Sequence, residues 1–132
     1  MIVDSSALLA VILNEPDEAR LLEAMLDAPT LRMSAGNWLE TAIIVDSHGN
    51  PRVQSRFEKL KDELRITIAP VTEAVAYQGR RAHQEFGRGH HPARLNYGDC
   101  FAYAEAAVSR EPLLFKGNDF AQTDIEPALK DC

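Results

Sequence analysis

No part of this 132-residue chain approaches the ~18 consecutive apolar residues that a membrane-crossing helix needs, so the sequence predicts no span. Nor does the N-terminus carry a basic segment, an apolar stretch and a small-residue cleavage site, the marks of an export signal. Cysteine is scarce: Cys100 and Cys132 are too few for a disulfide framework, and both read as reduced thiols of a cytoplasmic protein. Positive charge is also short. Fourteen Lys and Arg face 20 Asp and Glu, for a net charge of −6. Taken alone this disfavours a nucleic-acid binder, which needs cations for phosphates. Net charge decides little, however, where acids are gathered for one task and bases for another. Linkers, repeats and low-complexity segments are missing too, so residues 1–132 read as one domain. With 45% hydrophobic residues that domain can build a core.

The chain does have an informative beginning. Ile2 and Val3 form an apolar run that stops at Asp4, and Ser5-Ser6 leads into the helix-like Ala7–Leu13. This is a short buried strand ending in a carboxylate, then a tight turn into a helix. In an open α/β sheet, ligands bind beyond the carboxyl ends of the strands. Asp4 therefore stands where chemistry is expected.

The same alternation continues. Helical stripes fall on residues 17–27, 36–48, 53–64, 72–86 and 99–109. Short strands fall on residues 31–34, 66–71 and 113–115, and the tail with Ile125 and Pro127 is a candidate edge element. Strands alternating with helices predict an α/β fold with a parallel sheet covered by helices. On that frame Asp4 ends the first strand and Glu40 lies early in the helix after the second. Asp99 opens the helix before the fourth strand, and Asp119 follows that strand. Each has a plain alternative. Asp4 can cap a helix, Glu40 and Asp99 can complement a helix dipole, and Asp119 can serve a turn. Together on one rim they would repel and raise one another's pKa, which a hard divalent cation relieves.

Four segments carry a resemblance: Ile2-Val3-Asp4-Ser5-Ser6-Ala7-Leu8, Trp38-Leu39-Glu40-Thr41, Leu95-Asn96-Tyr97-Gly98-Asp99-Cys100, and Leu113-Leu114-Phe115-Lys116-Gly117-Asn118-Asp119-Phe120. In this order and spacing, over essentially the whole chain, they resemble the PIN-domain ribonucleases, in particular the VapC toxins of type II toxin–antitoxin systems. The resemblance implies a three-layer α/β/α sandwich with a central, mainly parallel sheet of four or five short strands. It implies Asp4, Glu40, Asp99 and Asp119 as a catalytic cluster holding one or two Mg²⁺ or Mn²⁺ ions, with Ser6 as a supporting hydroxyl beside the first acid. Many relatives have a longer turn after the last strand, where Gly117 stands here, so the fourth group is either Asn118 or Asp119. The implied reaction is endoribonucleolytic hydrolysis by an activated water, leaving a 5′-phosphate and a 3′-hydroxyl. Implied partners are RNA, a VapB-type antitoxin, and a second copy or a toxin–antitoxin hetero-oligomer.

The substrate backbone requires cations. Arg80, Arg81, His83, Arg88, His90, His91 and Arg94 form the clearest basic stretch, with Gly87 and Gly89 expected to make its loop flexible. Arg88, Arg94 and, beside the last strand, Lys116 are the candidate phosphate contacts. A solvated helix end is the alternative for the helical members. Adjacent histidines without cysteine are weak grounds for zinc. Trp38 and the stripe Phe57, Leu60 and Leu64 read first as core, with part of that surface left for a partner. A phosphoacceptor receiver domain would want paired acids after the first strand and an Asp ending the third. Val3 and Ser5 flank Asp4, and Ala69-Pro70-Val71 ends the third strand, so that class is disfavoured. A PIN-like RNA- or protein-binding module without catalysis is the remaining alternative.

Overall fold

In the computed structural model, which describes residues 1–130, the apolar runs become β1 (Ile2–Val3), α1 (Ser5–Ile12), α2 (Glu18–Asp27), β2 (Arg32–Ser34), α3 (Ala35–Ser47), α4 (Pro51–Glu63), β3 (Thr67–Ala69), α5 (Glu73–Phe86), α6 (Tyr97–Ser109) and β4 (Leu113–Leu114), with a 3₁₀ turn at Phe120–Gln122. Cys132 lies outside the described residues.

Short polar side chains set the helix starts. Asp4, Ser34, Asn50, Thr72 and Asn96 each accept an N–H of the first turn. Three starts differ from the sequence reading. Helix α1 begins at Ser5, directly after the Asp4 cap, rather than at Ala7. Gly49-Asn50-Pro51 ends α3 and at once begins α4: Gly49 takes φ +62, Asn50 caps, and Pro51 is the first helical residue. Tyr97 and Gly98, expected to precede α6, are its first two residues, because Asn96 and Asp99 close a reciprocal capping box around them. Pro16, a residue suited to a first helical turn, lies ahead of the Asp17 cap position.

The sheet order is β3-β2-β1-β4, and every pairing is parallel. The expected edge element is a single parallel bridge between Pro127 and Leu113. There Leu113 N donates to Glu126 O (2.9 Å) and Ala128 N to Leu113 O (2.8 Å). Alternation along the strands divides the core in two. Val3 and Leu114 pack with residues of α1–α4 such as Leu8, Val11, Met25, Val45 and Phe57. Ile2 and Leu113 pack with Ala82 of α5 and Ala102, Tyr103 and Ala106 of α6. These are the outer layers of the expected α/β/α sandwich.

Helices α3 and α6 meet where glycine permits it. A Cβ on Gly36 would lie 2.7 Å from the Phe101 ring, and one on Gly98 would lie 2.3 Å from Glu40 Oε2. Since all four strands run the same way, their carboxyl ends share one rim, and the start of α6 closes over it beside α3.

Candidate active site

Asp4 is 4% exposed. Its backbone N–H donates to Leu114 O (2.9 Å), which fixes it at the end of β1 beside β4. Its Oδ2 accepts from Ser6 N (3.0 Å) and Ser6 Oγ (2.6 Å), so it does cap α1. Ser6 Oγ in turn accepts from Lys116 N (3.0 Å) and ties the acid to the exit of β4. Oδ1 has no hydrogen-bond partner among the described residues. The capping role and the site role are therefore compatible: one oxygen caps and the other is left over. Burial pushes the Asp4 carboxyl up to about 6 against the pull of the two Ser6 hydrogen bonds, and the charges of Asp99 and Glu40 push it further in that direction.

Glu40 sits in the second turn of α3. Its Oε1 accepts from Ser5 Oγ (2.5 Å) and, more weakly, from Asn37 Nδ2 (3.4 Å). Asn37 is fully buried, and its Nδ2 also donates to Gly98 O (2.9 Å), linking α3 to α6. Asn37 Oδ1 is buried with no partner among the described residues. Such an unmet acceptor typically costs about 1–3 kcal/mol, so the contacts of its amide nitrogen are kept at the expense of stability.

Asp99 is the third residue of α6. Asp99 N donates to Asn96 Oδ1 (2.9 Å) and Asn96 N to Asp99 Oδ2 (3.0 Å). Burial raises its carboxyl; the Asn96 amide opposes this, while Asp119 and Glu40 add to it. Asp119 is exposed, and its charge acts on Asp99. Asn118 is also exposed. With Lys116, Gly117, Asp17, Arg20 and Leu129 it lines a groove of about 560 Å³.

The fold thus brings all four expected acids to one rim. They are not closed around a point: among the described residues, no three of His, Cys, Asp and Glu are placed to hold a metal ion. Burial and neighbouring acids raise both Asp4 and Asp99, and among the described residues no Lys or Arg forms an ion pair with either. The donor set is oxygen only, which suits Mg²⁺ or Mn²⁺ and not a soft metal. Small side-chain movements would be needed to gather it.

The expected phosphate contacts are treated unequally. Arg88 and Arg94 are exposed, and their guanidinium groups join no ion pair among the described residues. Their loop is more tied down than its glycines suggest. Arg88 N donates to Leu95 O (2.9 Å), Leu95 N to Phe86 O (3.0 Å), and His91 Nδ1 accepts from Ala93 N (3.0 Å). Phe86 meets the His91 ring edge-on. Gly87 is needed for close packing, since a Cβ there would lie 2.2 Å from His83 O. Lys116 forms an ion pair with Glu15 (2.5 Å) on the groove side.

Trp38 is partly buried and packs against the core, stacked on Phe57 with centroids 4.4 Å apart. The apolar surface left over on α3 belongs to its neighbours Leu39 and Ile43, which are 60% and 57% exposed. Cys100, beside Asp99, has its thiol pushed up to about 11 by burial and by that acid, which keeps it protonated and a poor nucleophile. The sequence reading missed Ser5 and Asn37 as partners of Glu40. The signal was present for Asn37, which stands three residues before Glu40 on one helix face.

Residues 1–126 match the PIN domain family model, and the chain belongs to that family. It is 45% identical over 130 residues to the ribonuclease VapC28 of Mycobacterium tuberculosis, covering 98% of each chain. It is 40% identical over 125 residues to the ribonuclease VapC of Mycolicibacterium smegmatis, covering 95% of this chain and 97% of that one. Among solved structures, its fold is similar to that of M. tuberculosis VapC20, described as a sarcin–ricin loop cleaving toxin, with TM-score 0.75, 12% identity, and coverage of 94% and 95%. It is also similar to VapBC2 of Rickettsia felis bound to a promoter DNA fragment, with TM-score 0.71, 15% identity, and coverage of 96% and 94%.

Proposed function

We propose that this protein is the toxin of a type II toxin–antitoxin system, a VapC-type endoribonuclease that hydrolyses RNA phosphodiester bonds with the help of Mg²⁺ or Mn²⁺. The observation that carries this reading is the rim of acids around Asp4, a buried carboxylate with a raised pKa and, among the described residues, a spare oxygen and no cationic partner. Perturbed acids that the fold leaves uncompensated mark a functional site. The ribonuclease relatives, similar over nearly the whole chain, support the same conclusion.

Asp4, Asp99, Glu40 and Asp119 are the residues that would hold the cation. Bound there, it would supply Lewis acidity, acidifying a water and offsetting charge on the phosphate. The chain's own residues do the rest. Ser6 keeps Asp4 oriented through its two hydrogen bonds. Asp119 is the better fourth acid, since its charge acts on Asp99 while Asn118 lines the groove beyond. Arg88 and Arg94 offer unpaired cations to the RNA backbone, and Lys116 becomes available when its Glu15 pair opens.

Residues 1–132 act as one PIN domain in the cytoplasm; among the described residues no helix is long and apolar enough to cross a membrane. A VapB-type antitoxin is the partner that restrains the enzyme. Exposed Leu39 and Ile43, on the same helix as Glu40, offer apolar ground for that antitoxin or for a second copy. The test is cleavage of cellular RNA by the purified protein with Mn²⁺, with excess EDTA, and with Asp4→Asn. Cleavage by the first alone is expected; cleavage that persists in EDTA or in the variant would defeat the proposal.

A further inference from the structure

We propose that Gly98 is a positioning residue: its missing side chain forms the seat of the Glu40 carboxylate, and Ser5 and Asn37 hold the carboxylate in that seat. The functional consequence rests on the reading of Glu40 as a cation-holding acid; the seat itself does not.

Nothing in the backbone calls for glycine at this position. Gly98 is the second residue of α6 and lies outside the left-handed region that favours glycine. Glycine also weakens a helix relative to alanine. The space decides the matter. The three heavy atoms nearest to a Cβ placed on Gly98 all belong to Glu40: Oε2 at 2.3 Å, Cδ at 2.9 Å and Oε1 at 3.0 Å. A methyl group there would meet the far end of a flexible side chain, so the fold would survive and the carboxylate would move.

Three elements converge on this one group. Ser5 Oγ of α1 donates to Glu40 Oε1 (2.5 Å) and also lies within reach of Asn37 O (3.3 Å). Asn37 Nδ2 of α3 is shared between Glu40 Oε1 and Gly98 O of α6. Reversing the Asn37 amide would set its oxygen against two acceptors, so the network fixes its orientation and leaves Oδ1 unpartnered. The charge of Glu40 in this position reaches both Asp4 and Asp99. Shifting it alters its relation to both.

The test compares the purified full chain with Gly98→Ala, Glu40→Asp and the double variant. Three readouts are taken: thermal melting without metal, the Glu40 side-chain ¹³C resonance without metal at one pH, and Mn²⁺ binding by calorimetry. Gly98→Ala is expected to melt no lower than the parent, to shift the Glu40 resonance, and to weaken Mn²⁺ binding about tenfold, the scale of losing a supporting contact. In the Glu40→Asp background the shorter side chain no longer reaches the seat, so adding Gly98→Ala should change binding less than about twofold. An unmoved Glu40 resonance overturns the proposal, as does equal weakening of Mn²⁺ binding in both backgrounds. If the parent chain binds no Mn²⁺, the cation reading of the site falls, and the resonance still decides the seat.

Discussion

The two ends of the sheet hold similar sets of acids and treat them in opposite ways. At the amino ends of the strands, Glu111 accepts from the Met1 ammonium (2.5 Å) and from Arg32 (2.7 Å). Arg32 also bonds Ser109 Oγ, which donates to the buried Glu105 (2.7 Å). The carboxyl of Glu111 is held below its usual value, chiefly by the hydrogen bond from the N-terminal ammonium. At the carboxyl ends, Asp4, Glu40, Asp99 and Asp119 face hydroxyls, amides and one another. Burial leads the upward shifts of Asp4 and Asp99, and neighbouring acids add to them. Helix α6 belongs to both regions, with Asp99 at its start and Glu105 and Ser109 near its end. The difference teaches that compensation was available to this fold and was withheld at one rim. Glu111 at the first end supports folding at neutral pH, whereas Asp4 and Asp99 at the second oppose it when ionised, as expected of acids kept for a function.

The sharpest separation of the two ends comes from Asp99→Asn. The amide oxygen can still accept from Asn96 N, so the capping box survives, while the charge is lost. RNA cleavage should fall on the order of a hundredfold or more, the least expected for losing a direct ligand when supporting residues alone cost 10–100-fold. Melting should change little. Near-parent cleavage rates in that variant would erase the distinction between the two rims.

Arg32→Ala should do the reverse. It removes the guanidinium shared by buried Glu105 and partly buried Glu111, leaving them only Ser109 Oγ and the Met1 ammonium, and should cost about 1–2 kcal/mol by chemical denaturation. Cleavage and Mn²⁺ binding should stay within about twofold of the parent, given the distance of a full strand from the site. The pH dependence has a definite sign. Because the folded state lowers the pKa of Glu111 from 4.5, its contribution is complete above that value and fades as pH falls through the lower, folded value. A denaturation series should therefore show the gap between the parent and Glu111→Gln closing below pH 4.5.

The smallest effects belong to the basic loop. Arg88→Ala and Arg94→Ala should each weaken binding to any RNA by a similar few-fold factor and reduce the salt dependence by about one counterion. A change in which sequence is cut, at unchanged salt dependence, would instead place these residues in base recognition.

Much of this contrast was legible in the residues, and the reasons are local. Asp4 could be placed because an apolar run stops at it, and Asp99 because an apolar helical pattern begins there. Asp119 and Asn118 could not be separated, since adjacent polar residues in a turn carry no periodic pattern, and the turn follows Gly117 at φ +98. The Glu40–Gly98 contact joins segments far apart in the chain, and only the close approach of α3 and α6 reveals it. Helix α3 is apolar on several sides, so the pattern did not tell which side was covered. Docking of Phe57 on Trp38 settled that and left Leu39 and Ile43 outside. The pairing of Lys116 with Glu15 and the cluster around Arg32 were likewise invisible, because long-range ion pairs leave no periodic signature.

The central claim, that Asp4 trades stability for cation binding, is tested most directly by melting the parent and Asp4→Asn with and without Mn²⁺. The folded pKa of Asp4 lies above the unfolded one, so its ionisation opposes folding progressively from about pH 4 to about pH 6 and fully above that range. A shift of that size corresponds to at most about 3 kcal/mol at neutral pH, and asparagine keeps the helix cap. Without metal, Asp4→Asn should melt above the parent at pH 7.5 and lose that advantage toward pH 4. With Mn²⁺ at a hundred times its dissociation constant, the parent should gain about 2.7 kcal/mol and the variant much less, which offsets most of the variant's advantage. A variant that melts below the parent in both conditions, or a parent that does not respond to Mn²⁺, would contradict the account.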